Sequence, residues 1–469
     1  MDAAPTTGPT GTTTHDVAIL GGGPGGYGAA FIAHGFGLDV VLVEKDRIGG
    51  TCLHRGCIPA KSWLHVAETF ATVSEAALQG VMVDGFGIDW EQAWQRKEKV
   101  VASLHGGLVR GFASKGIEVV EGVGRLVGAN RLEVDTPDGV RSVSAANIIV
   151  ATGSRPRSIP GYQFDRERIV SSDDALEWRS PPGRVAILGG GAIGCEFASL
   201  LSDLGAEVHV IEMMDQIVPG MCRSAARELQ SRLSRRGVKF LLGASAGQPV
   251  RGPGSIEIPV GDRTVEADVI LVAVGRRPNT ENLGLEPIGI ELDRGYVKVD
   301  PETMQTTVPG VFAVGDIVAG TPQLAHAGFA EALSAVRFIA TGEGRPVKYA
   351  TIPLVVYSRP EMAQVGLTEE AARQLGVEVT IHQRTYGGGG RALIKGEKRG
   401  LVRILVDDAD RVVGSSVVGP EAGELIHEMM VTMSSGLSVD DAAGLIHAHP
   451  TLSETVGETL LTAAGIHLH

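Results

Sequence analysis

Residues 16–46, DVAILGGGPGGYGAAFIAHGFGLDVVLVEKD, carry the pattern that decides the fold. An apolar run at residues 17–20 meets a cluster of glycines, and an alanine-rich stretch of helical character follows. A second apolar run, at residues 40–43, ends at Glu44. Short apolar runs separated by a glycine turn and a helical stretch predict a strand, a turn, a helix and a second strand.

Three glycines in this turn, Gly21, Gly23 and Gly26, have the spacing G-x-G-x-x-G. The first permits a tight turn, the second lets the backbone approach a pyrophosphate, and the third lets the helix pack closely on the strand. The helix N-terminus attracts the phosphate charge. Glu44 lies 18 residues after Gly26, close to the position of an acid that binds a ribose hydroxyl. Glycines between a strand and a helix are often only a turn, so the surrounding pattern must decide.

The same unit recurs at residues 184–215, RVAILGGGAIGCEFASLLSDLGAEVHVIEMMD. Gly189, Gly191, Gly194 and Glu212 each lie 168 residues after their counterparts in the first copy. Two copies with identical internal spacing predict two dinucleotide-binding domains in one chain.

Glu212 bears on the identity of the second nucleotide. A carboxylate accepts a hydrogen bond from a ribose 2′-hydroxyl and repels a 2′-phosphate. The segment after Glu212 contains no Arg or Lys before Arg223. The second turn therefore favours NAD over NADP, with a solvated strand end as the alternative interpretation of Glu212.

Residues 49–63, GGTCLHRGCIPAKSW, place Cys52 and Cys57 five positions apart. In an ideal helix this spacing separates Cα atoms by roughly 8–9 Å, whereas a disulfide needs less than about 7 Å. A helix must therefore begin or distort here, and Gly56 and Pro59 fit such a break. Cys57 is then expected near a helix N-terminus, where the dipole favours a thiolate. Structural thiols or half of a metal site are the alternatives, but no neighbouring Cys or His cluster completes a zinc site.

The whole chain has 469 residues, a formal net charge of −13 and four cysteines. The negative charge argues against nucleic acid or an anionic membrane as the main partner. No apolar run reaches the roughly 18 residues that a membrane helix needs. So few cysteines in so long a chain do not resemble a secreted disulfide scaffold, which predicts a cytoplasmic protein. The remaining two, Cys195 and Cys222, are expected to be structural.

Five motifs carry a resemblance to a known family: GGGPGGYGAA (21–30), GGTCLHRGCIPAKS (49–62), GGGAIGCEFAS (189–199), VFAVGDI (311–317) and HAHPTLSE (447–454). They occur in family order and span nearly the whole chain. The chain resembles the class I pyridine-nucleotide disulfide oxidoreductases, and among them the dihydrolipoamide dehydrogenases. The resemblance implies that protein-bound dihydrolipoamide is oxidised to lipoamide and NAD is reduced, through a Cys52–Cys57 disulfide and FAD.

The resemblance also implies roles for the residues around this disulfide. Cys52 is expected to exchange with the substrate disulfide, and Cys57 to face the flavin as the charge-transfer thiolate. Lys61 is expected beside the flavin N5 edge, paired with Glu196.

His449 is expected to be the catalytic base and Glu454 the carboxylate that orients it. A thiol–disulfide enzyme needs a base near the substrate thiol, and histidine titrates in a suitable range. Isolated histidines are more often capping or core residues, so the motif is what favours this role. The family pattern places the base immediately before Pro450, which selects His449 over His447.

Cofactor contacts follow from the glycine turns, the strand ends and the family motifs. The candidate residues are Gly21, Gly23, Gly26, Glu44, Lys61, Gly124, Thr152, Gly153, Ser154, Gly189, Gly191, Gly194, Glu196, Glu212, Gly275, Asp316, Gln323, Leu324, Ala325 and His326.

The expected fold class is α/β, with two Rossmann-like dinucleotide-binding domains and a C-terminal α+β dimerisation domain. The expected boundaries are a disordered tail at 1–14, an FAD-binding domain at 15–155, an NAD-binding domain at 156–282, a central domain returning to the FAD site at 283–348 and the dimerisation domain at 349–469. The expected partners are a second copy, lipoyl domains, and the core acyltransferase of a 2-oxo-acid dehydrogenase or a glycine-cleavage system.

Some positions depart from the family pattern. His54 and Arg55 stand where Asn-Val is commonest, Ala327 stands where Lys is typical, and residues 386–396 are rich in glycine. These departures remove no catalytic group, but they leave the identity of the partner complex open. The alternative functions are a related reductase that acts on a small thiol such as glutathione or mycothiol, and a non-catalytic flavoprotein subunit. Glu212 disfavours the NADPH-dependent reductases, and the intact set of cysteines, lysine and histidine disfavours the non-catalytic subunit.

Overall fold

The computed structural model describes residues 14–467. Most of the expected N-terminal tail lies outside this range, and its last residue, Thr14, begins the first strand. The described chain forms two compact units. The first contains the residues up to Ile58, Lys99–Arg155 and Arg276–Val347, and the second contains Pro59–Glu98, Pro156–Gly275 and the residues from Lys348 onward.

The strands of the described range are β1 (Thr14–Leu20), β2 (Val40–Glu44), β3 (Glu118–Glu121), β4 (Val123–Gly128), β5 (Arg131–Thr136), β6 (Gly139–Val150), β7 (Ser154–Pro156), β8 (Ile169–Val170), β9 (Arg184–Leu188), β10 (Glu207–Glu212), β11 (Lys239–Leu242), β12 (Val250–Arg251), β13 (Ile256–Val260), β14 (Arg263–Ala267), β15 (Val269–Val272), β16 (Arg276–Pro278), β17 (Leu292–Asp293), β18 (Tyr296–Val297), β19 (Val311–Ala313), β20 (Leu354–Val356), β21 (Glu361–Gly366), β22 (Val379–Thr385), β23 (Leu401–Asp407) and β24 (Val412–Gly419).

The α-helices of the same range are α1 (Pro24–Gly35), α2 (Gly50–Arg55), α3 (Cys57–Ser74), α4 (Trp90–Lys115), α5 (Ser172–Ala175), α6 (Ala192–Asp203), α7 (Arg223–Arg235), α8 (Ala325–Thr341), α9 (Glu369–Leu375), α10 (Gly390–Ile394), α11 (Ala422–Ser435), α12 (Val439–Ala443) and α13 (Glu454–Ala463). Short 3-10 turns lie at Ala76–Gln79, Glu286–Ile288, Tyr349–Thr351 and Tyr386–Gly388.

The first unit is built on a sheet with the order β3-β2-β1-β6-β5-β4, to which β19 adds by pairing with β6. The pairs β2–β3, β1–β2, β1–β6 and β6–β19 are parallel. The strand β2 is buried along residues 40–43, as expected for a parallel strand covered on both faces. Strand β6 is long, and its first half instead pairs antiparallel with β5. The β6–β19 pairing brings the segment that carries Asp316 back to the first nucleotide fold.

The second unit contains a five-stranded sheet with the order β11-β10-β9-β15-β8, in which every pairing is parallel. Its connection from β9 through α6 to β10 repeats the β1–α1–β2 connection of the first unit. The predicted repeat is thus a repeated strand–helix–strand fold. A short antiparallel sheet, β12-β13-β14, is inserted before β15.

The C-terminal part of the second unit is an antiparallel sheet, β20-β21-β24-β23-β22, with helices α11, α12 and α13. Buried apolar side chains of β23, β24 and α11 form its own core. The predicted change to an α+β arrangement in this part of the chain is confirmed. None of the helices in residues 14–467 combines the length and the apolar character needed to cross a membrane.

Candidate functional site

The two cysteines lie on either side of a helix break. Helix α2 ends at Arg55, and Gly56 (φ −147°, ψ −111°) separates it from α3, which begins at Cys57. The predicted break is confirmed, and Cys52 and Cys57 lie close together as in a redox-active pair. Cys57 therefore has the helix N-terminal position at which the dipole stabilises a thiolate.

The start of α2 lies against the first glycine turn. The Gly49 N–H donates to the Gly22 carbonyl oxygen at 2.7 Å. A Cβ atom at Gly50 would lie 2.7 Å from the Gly23 Cα, so no other residue fits without displacing the turn. The two glycines before the cysteines thus bring the cysteine segment onto the turn that is expected to hold a pyrophosphate.

Two residues that depart from the family pattern, His54 and Arg55, hold the C-terminal end of α2 in place. The buried His54 bonds through Nε2 to the Ile48 carbonyl oxygen at 2.9 Å, and Arg55 donates to the Asp46 carboxylate at 2.7 Å. Burial lowers the pKa of His54, so the ring is neutral at neutral pH. His54 and Arg55 therefore anchor the helix that carries Cys52.

Tyr27, on α1, lies near the cysteine pair and was not identified from the sequence. Burial raises its pKa to about 12, and the negative charges of Cys52 and Cys57 act in the same direction. Its phenol is thus protonated at neutral pH. In the sequence Tyr27 directly follows the glycine turn, and nothing about that position indicates that it lies near the two cysteines.

Lys61 lies in the second turn of α3 and binds a carboxylate of α6. Its Nζ is 3.0 Å from Oε1 and 2.9 Å from Oε2 of Glu196. Glu196 is 8% exposed, and its Oε1 also accepts the Tyr357 N–H at 3.0 Å. The Lys61–Glu196 pair implied by the family resemblance is therefore present as a geometric contact.

The first glycine turn is shaped to leave backbone open to a ligand. A Cβ at Gly26 would lie 1.8 Å from the Gly21 carbonyl oxygen, so the helix start and the strand end are in contact. A Cβ at Gly23 would meet nothing within 4 Å. This open cradle at the N-terminus of α1 fits the phosphates of a dinucleotide.

Glu44 closes this turn from the end of β2. Its Oε2 accepts the Gly22 N–H at 2.6 Å and its Oε1 accepts the Asp46 N–H at 2.9 Å. The carboxylate thereby fixes the turn and retains lone pairs for a ribose hydroxyl.

The second turn repeats this geometry. A Cβ at Gly194 would lie 2.0 Å from the Gly189 carbonyl oxygen, and a Cβ at Gly191 would meet nothing within 4 Å. Glu212 accepts the Gly190 N–H at 2.7 Å and the Met214 N–H at 2.8 Å. Glu212 is 9% exposed, so it is not a solvated strand end.

We predict that Glu212→Gln narrows the preference for NAD over NADP by roughly tenfold or more, equivalent to about 1.4 kcal/mol. Glutamine keeps an acceptor oxygen but removes the charge that repels a 2′-phosphate. Steady-state kcat/KM with both nucleotides measures the ratio. Glu207→Gln, at the exposed start of the same strand, is the matched control. An unchanged ratio in Glu212→Gln would mean that this carboxylate does not face the ribose.

Several candidate contacts gather where β6 ends in the first unit. The Ser154 hydroxyl donates to Asp316 Oδ2 at 2.5 Å, and Thr152 Oγ1 donates to the Asn279 carbonyl oxygen at 2.7 Å. Gly153 between them has φ +68°, which favours glycine. Arg276 was not identified as a site residue from the sequence. Its Nε donates to Ser154 Oγ at 2.7 Å, so it fixes the serine that binds Asp316.

The remaining candidate glycines are Gly124, in the first unit, and Gly275, in the second. A Cβ at Gly124 would lie 2.5 Å from a methyl of Leu20, at the carboxyl end of β1. Gly275, after β15 in the second unit, has φ +103° and accepts the Arg157 N–H through its carbonyl oxygen.

The segment before α8 returns to Asp316. Gln323 Nε2 donates to the Asp316 carbonyl oxygen at 3.2 Å. Leu324 is the N-cap of α8, and Ala325 and His326 form its first turn. The fully buried Glu331 of α8, also missed in the sequence, accepts the Gly315 N–H.

His449 and Glu454, the expected base and its orienting carboxylate, form a hydrogen-bonded pair in the second unit. His449 Nδ1 is 2.7 Å from Glu454 Oε1, and the Thr451 N–H donates to Glu454 Oε2 at 2.7 Å. That N–H bond and the neighbouring His449 lower the pKa of Glu454, so the carboxylate is ionised near neutral pH. Because Nδ1 is engaged, Nε2 is the nitrogen available for proton transfer. His447 bonds instead to Glu428 at 2.8 Å.

The other two cysteines lie apart from this chemistry. Cys195 is fully buried, and burial raises the pKa of its thiol far above the usual range. Cys222 is 4% exposed at the start of α7. Within residues 14–467 no group of three or more His, Cys, Asp or Glu side chains is arranged to hold a metal ion.

Comparison with known proteins covers nearly the whole chain. Residues 15–332 match the pyridine nucleotide-disulphide oxidoreductase family, and residues 352–460 match the dimerisation domain of that family. A dihydrolipoyl dehydrogenase of Chlamydia muridarum is 38% identical over 97% of this chain and 98% of its own length. A dihydrolipoyl dehydrogenase of Bacillus subtilis is 37% identical over 97% of this chain and 99% of its own length.

A similar architecture is known in a crystal structure. LpdA from Mycobacterium tuberculosis superposes with a TM-score of 0.89 at 29% identity, over 96% of this chain and 99% of its own. The present chain has a cysteine pair at a helix break, two glycine cradles and a C-terminal antiparallel sheet. Its sequence also matches the two family models along nearly its whole length. The chain belongs to the pyridine nucleotide-disulphide oxidoreductase family.

Proposed function

We propose that the chain is a dihydrolipoyl dehydrogenase, which oxidises protein-bound dihydrolipoamide to lipoamide and reduces NAD. The observation that carries the proposal is the close Cys52–Cys57 pair, with Cys57 at the N-terminus of α3. A thiolate stabilised at that position is suited to thiol–disulfide exchange. The relatives at 37–38% identity that share this function by name support the choice of substrate.

The exchange begins with the base. His449 takes the proton of one substrate thiol at Nε2, and Glu454 stabilises the resulting imidazolium. The substrate thiolate attacks Cys52 Sγ, a mixed disulfide forms, and the electron pair of the broken bond stays on Cys57. The second substrate thiol attacks the substrate sulfur bound to Cys52, and its proton passes to the departing Cys52 sulfur, so one substrate proton is then on His449 and the other on Cys52. This releases the cyclic disulfide and returns Cys52 as a thiol, so two electrons and two protons leave the substrate.

The cofactors are held by the two glycine cradles. FAD fits the first, with Glu44, the residues at 152–154 and Asp316 as the candidate contacts. NAD fits the second, with Glu212 at the ribose. When bound, FAD would supply a two-electron carrier between the cysteine pair and NAD. Lys61, whose ammonium is bound by Glu196, would supply a positive charge to the flavin, as the family resemblance implies.

The purified protein is expected to be yellow, to bind one FAD per chain, and to oxidise NADH with lipoamide in a steady-state assay. Glutathione disulfide, tested at the same concentration, separates this proposal from a reductase of small thiols. Faster turnover with glutathione disulfide would reassign the substrate. A colourless protein that takes up no FAD on reconstitution would contradict the proposal as a whole.

A second copy of the chain is the expected partner, in keeping with the match to a dimerisation domain. Lipoyl domains and the core acyltransferase of a 2-oxo-acid dehydrogenase or glycine-cleavage system are proposed as further partners, because they carry the substrate. The cytoplasmic location expected from the few cysteines stays a prediction.

A further inference from the structure

Helix α6 carries three polar side chains along one face. Glu196, Ser199 and Asp203 are spaced i, i+3 and i+7, so they lie in a row along the helix. All three are nearly buried, at 8%, 1% and 5% exposure of the residue or its side chain. Buried polar groups require hydrogen-bond partners, so the partners of these three side chains indicate which segment α6 holds in place.

The row binds the segment that follows β20. Glu196 accepts the Tyr357 N–H at 3.0 Å, and Ser199 Oγ accepts the Arg359 N–H at 2.8 Å. Asp203 accepts from the Arg359 guanidinium at 2.7 Å and 3.2 Å. Residues 357–359 are therefore fixed to α6 by two backbone bonds and one bidentate ion pair.

This fixed segment places the Tyr357 ring beneath Lys61. The Lys61 ammonium lies 4.6 Å from the centre of the ring, and it also contacts the Glu196 carboxylate at 2.9 Å. An ammonium over an aromatic face within about 6 Å is attracted by the electron-rich face of the ring. Burial raises the pKa of Tyr357, so the phenol is neutral and the ring acts through its face.

We propose that Tyr357 is a positioning residue for Lys61, and that its ring and Glu196 together set where the ammonium stands. The proposal deepens the proposed function and rests on it, because it assigns a purpose to a lysine expected beside the flavin. The hydroxyl of Tyr357 is not required, whereas the aromatic face is.

Two substitutions separate the ring from the hydroxyl. Tyr357→Phe keeps the face, and Tyr357→Leu replaces it with a smaller aliphatic side chain, while the backbone bond to Glu196 is kept in both. Tyr357 is 41% exposed, so both variants are expected to fold.

The first measurement is the rate at which an amine reagent modifies Lys61 in the holoenzyme, followed by peptide mass spectrometry. In Tyr357→Leu the rate should rise about threefold or more, since the ammonium loses one of its contacts. Tyr357→Phe should react at the wild-type rate. Lys239, which pairs with Glu207, is the internal reference within each sample. A wild-type rate in Tyr357→Leu, or an equal rise in Tyr357→Phe, would overturn the proposal.

The second measurement is the flavin reduction potential, determined by equilibration with a redox dye. Tyr357→Leu should shift it to more negative values, since a displaced positive charge stabilises the reduced flavin less. In a Lys61→Met background the same substitution should add no further shift, because the lysine through which it acts is gone. An equal shift in both backgrounds would assign Tyr357 a role independent of Lys61 and overturn the proposal.

The two measurements keep the proposal distinct from the function on which it rests. A protein without FAD or without lipoamide activity would contradict the proposed function. The modification rate of Lys61 requires no turnover of lipoamide, so in a protein that binds FAD but lacks lipoamide activity it would still decide whether Tyr357 positions the lysine.

Discussion

A heterodimer of one Cys52→Ser subunit and one His449→Ala subunit should recover lipoamide activity up to about half that of the wild-type dimer, although each parent homodimer is nearly inactive. The family resemblance implies that His449 of one subunit completes the site that contains Cys52 of the other. In the mixed dimer one site combines both lesions. The other site combines an intact Cys52 with an intact His449, and it should work.

The exposure of the base supports this arrangement. The side chain of His449 is 79% exposed, and Ile446, three residues before it, is 98% exposed. A catalytic base needs a site that excludes water, and an apolar side chain this exposed is more stable when another surface covers it. Both observations are expected if the loop at residues 445–449 lies against a second copy.

Co-expression of differently tagged subunits and two-step purification give the mixed dimer. FAD content and dimer size are measured on the same samples, so that loss of cofactor or of assembly is recognised. If the base and the thiol came from the same chain, every site would contain one lesion. A mixed dimer as inactive as its parents, with FAD bound, would then refute the shared site.

Substitution of either redox cysteine should reduce NAD-linked lipoamide turnover by roughly 10³-fold or more, because an essential nucleophile is lost. The two variants should nevertheless differ in their spectra. In Cys52→Ser the Cys57 thiolate persists, so a long-wavelength charge-transfer band against oxidised flavin should be present without added reductant. In Cys57→Ser the band should be absent even after two-electron reduction.

The position of Cys57 is the reason for this asymmetry. It begins the 18-residue helix α3, whereas Cys52 lies in the first turn of the six-residue helix α2, so the larger aligned helix dipole stabilises a negative charge at Cys57. Cys222→Ser, a buried cysteine outside the site, is the matched control and should keep both turnover and the band. The reverse spectral pattern in the two redox variants would show that the roles of Cys52 and Cys57 are exchanged.

The sequence by itself determined the features that depend on neighbours along the chain. The two glycine turns could be predicted because a Cβ at Gly26 or at Gly194 collides with backbone only five residues away. The helix break could be predicted because five residues of regular helix hold two cysteines too far apart for a disulfide. The strands could be predicted because buried parallel strands are continuous apolar runs.

Other site residues were identified only because the motifs resemble those of a family. The Lys61–Glu196 contact joins residues 135 positions apart, and no spacing rule connects them. His449 was preferred over His447 for the same reason. The structure adds that each of the two histidines has its own carboxylate, Glu454 and Glu428 respectively.

Only the tertiary structure decided which side chains hold the site in place. Glu44 and Glu212 were predicted as ribose acids, and the structure shows that each also closes its own glycine turn through two backbone N–H groups. The ring of Tyr357 lies beneath Lys61 because helix α6 fixes the segment after β20. These contacts join segments that are distant in sequence, and their partners are set by the packing of helices on sheets. Local propensity and motif spacing contain no information about such pairings, so the folded chain alone specifies them.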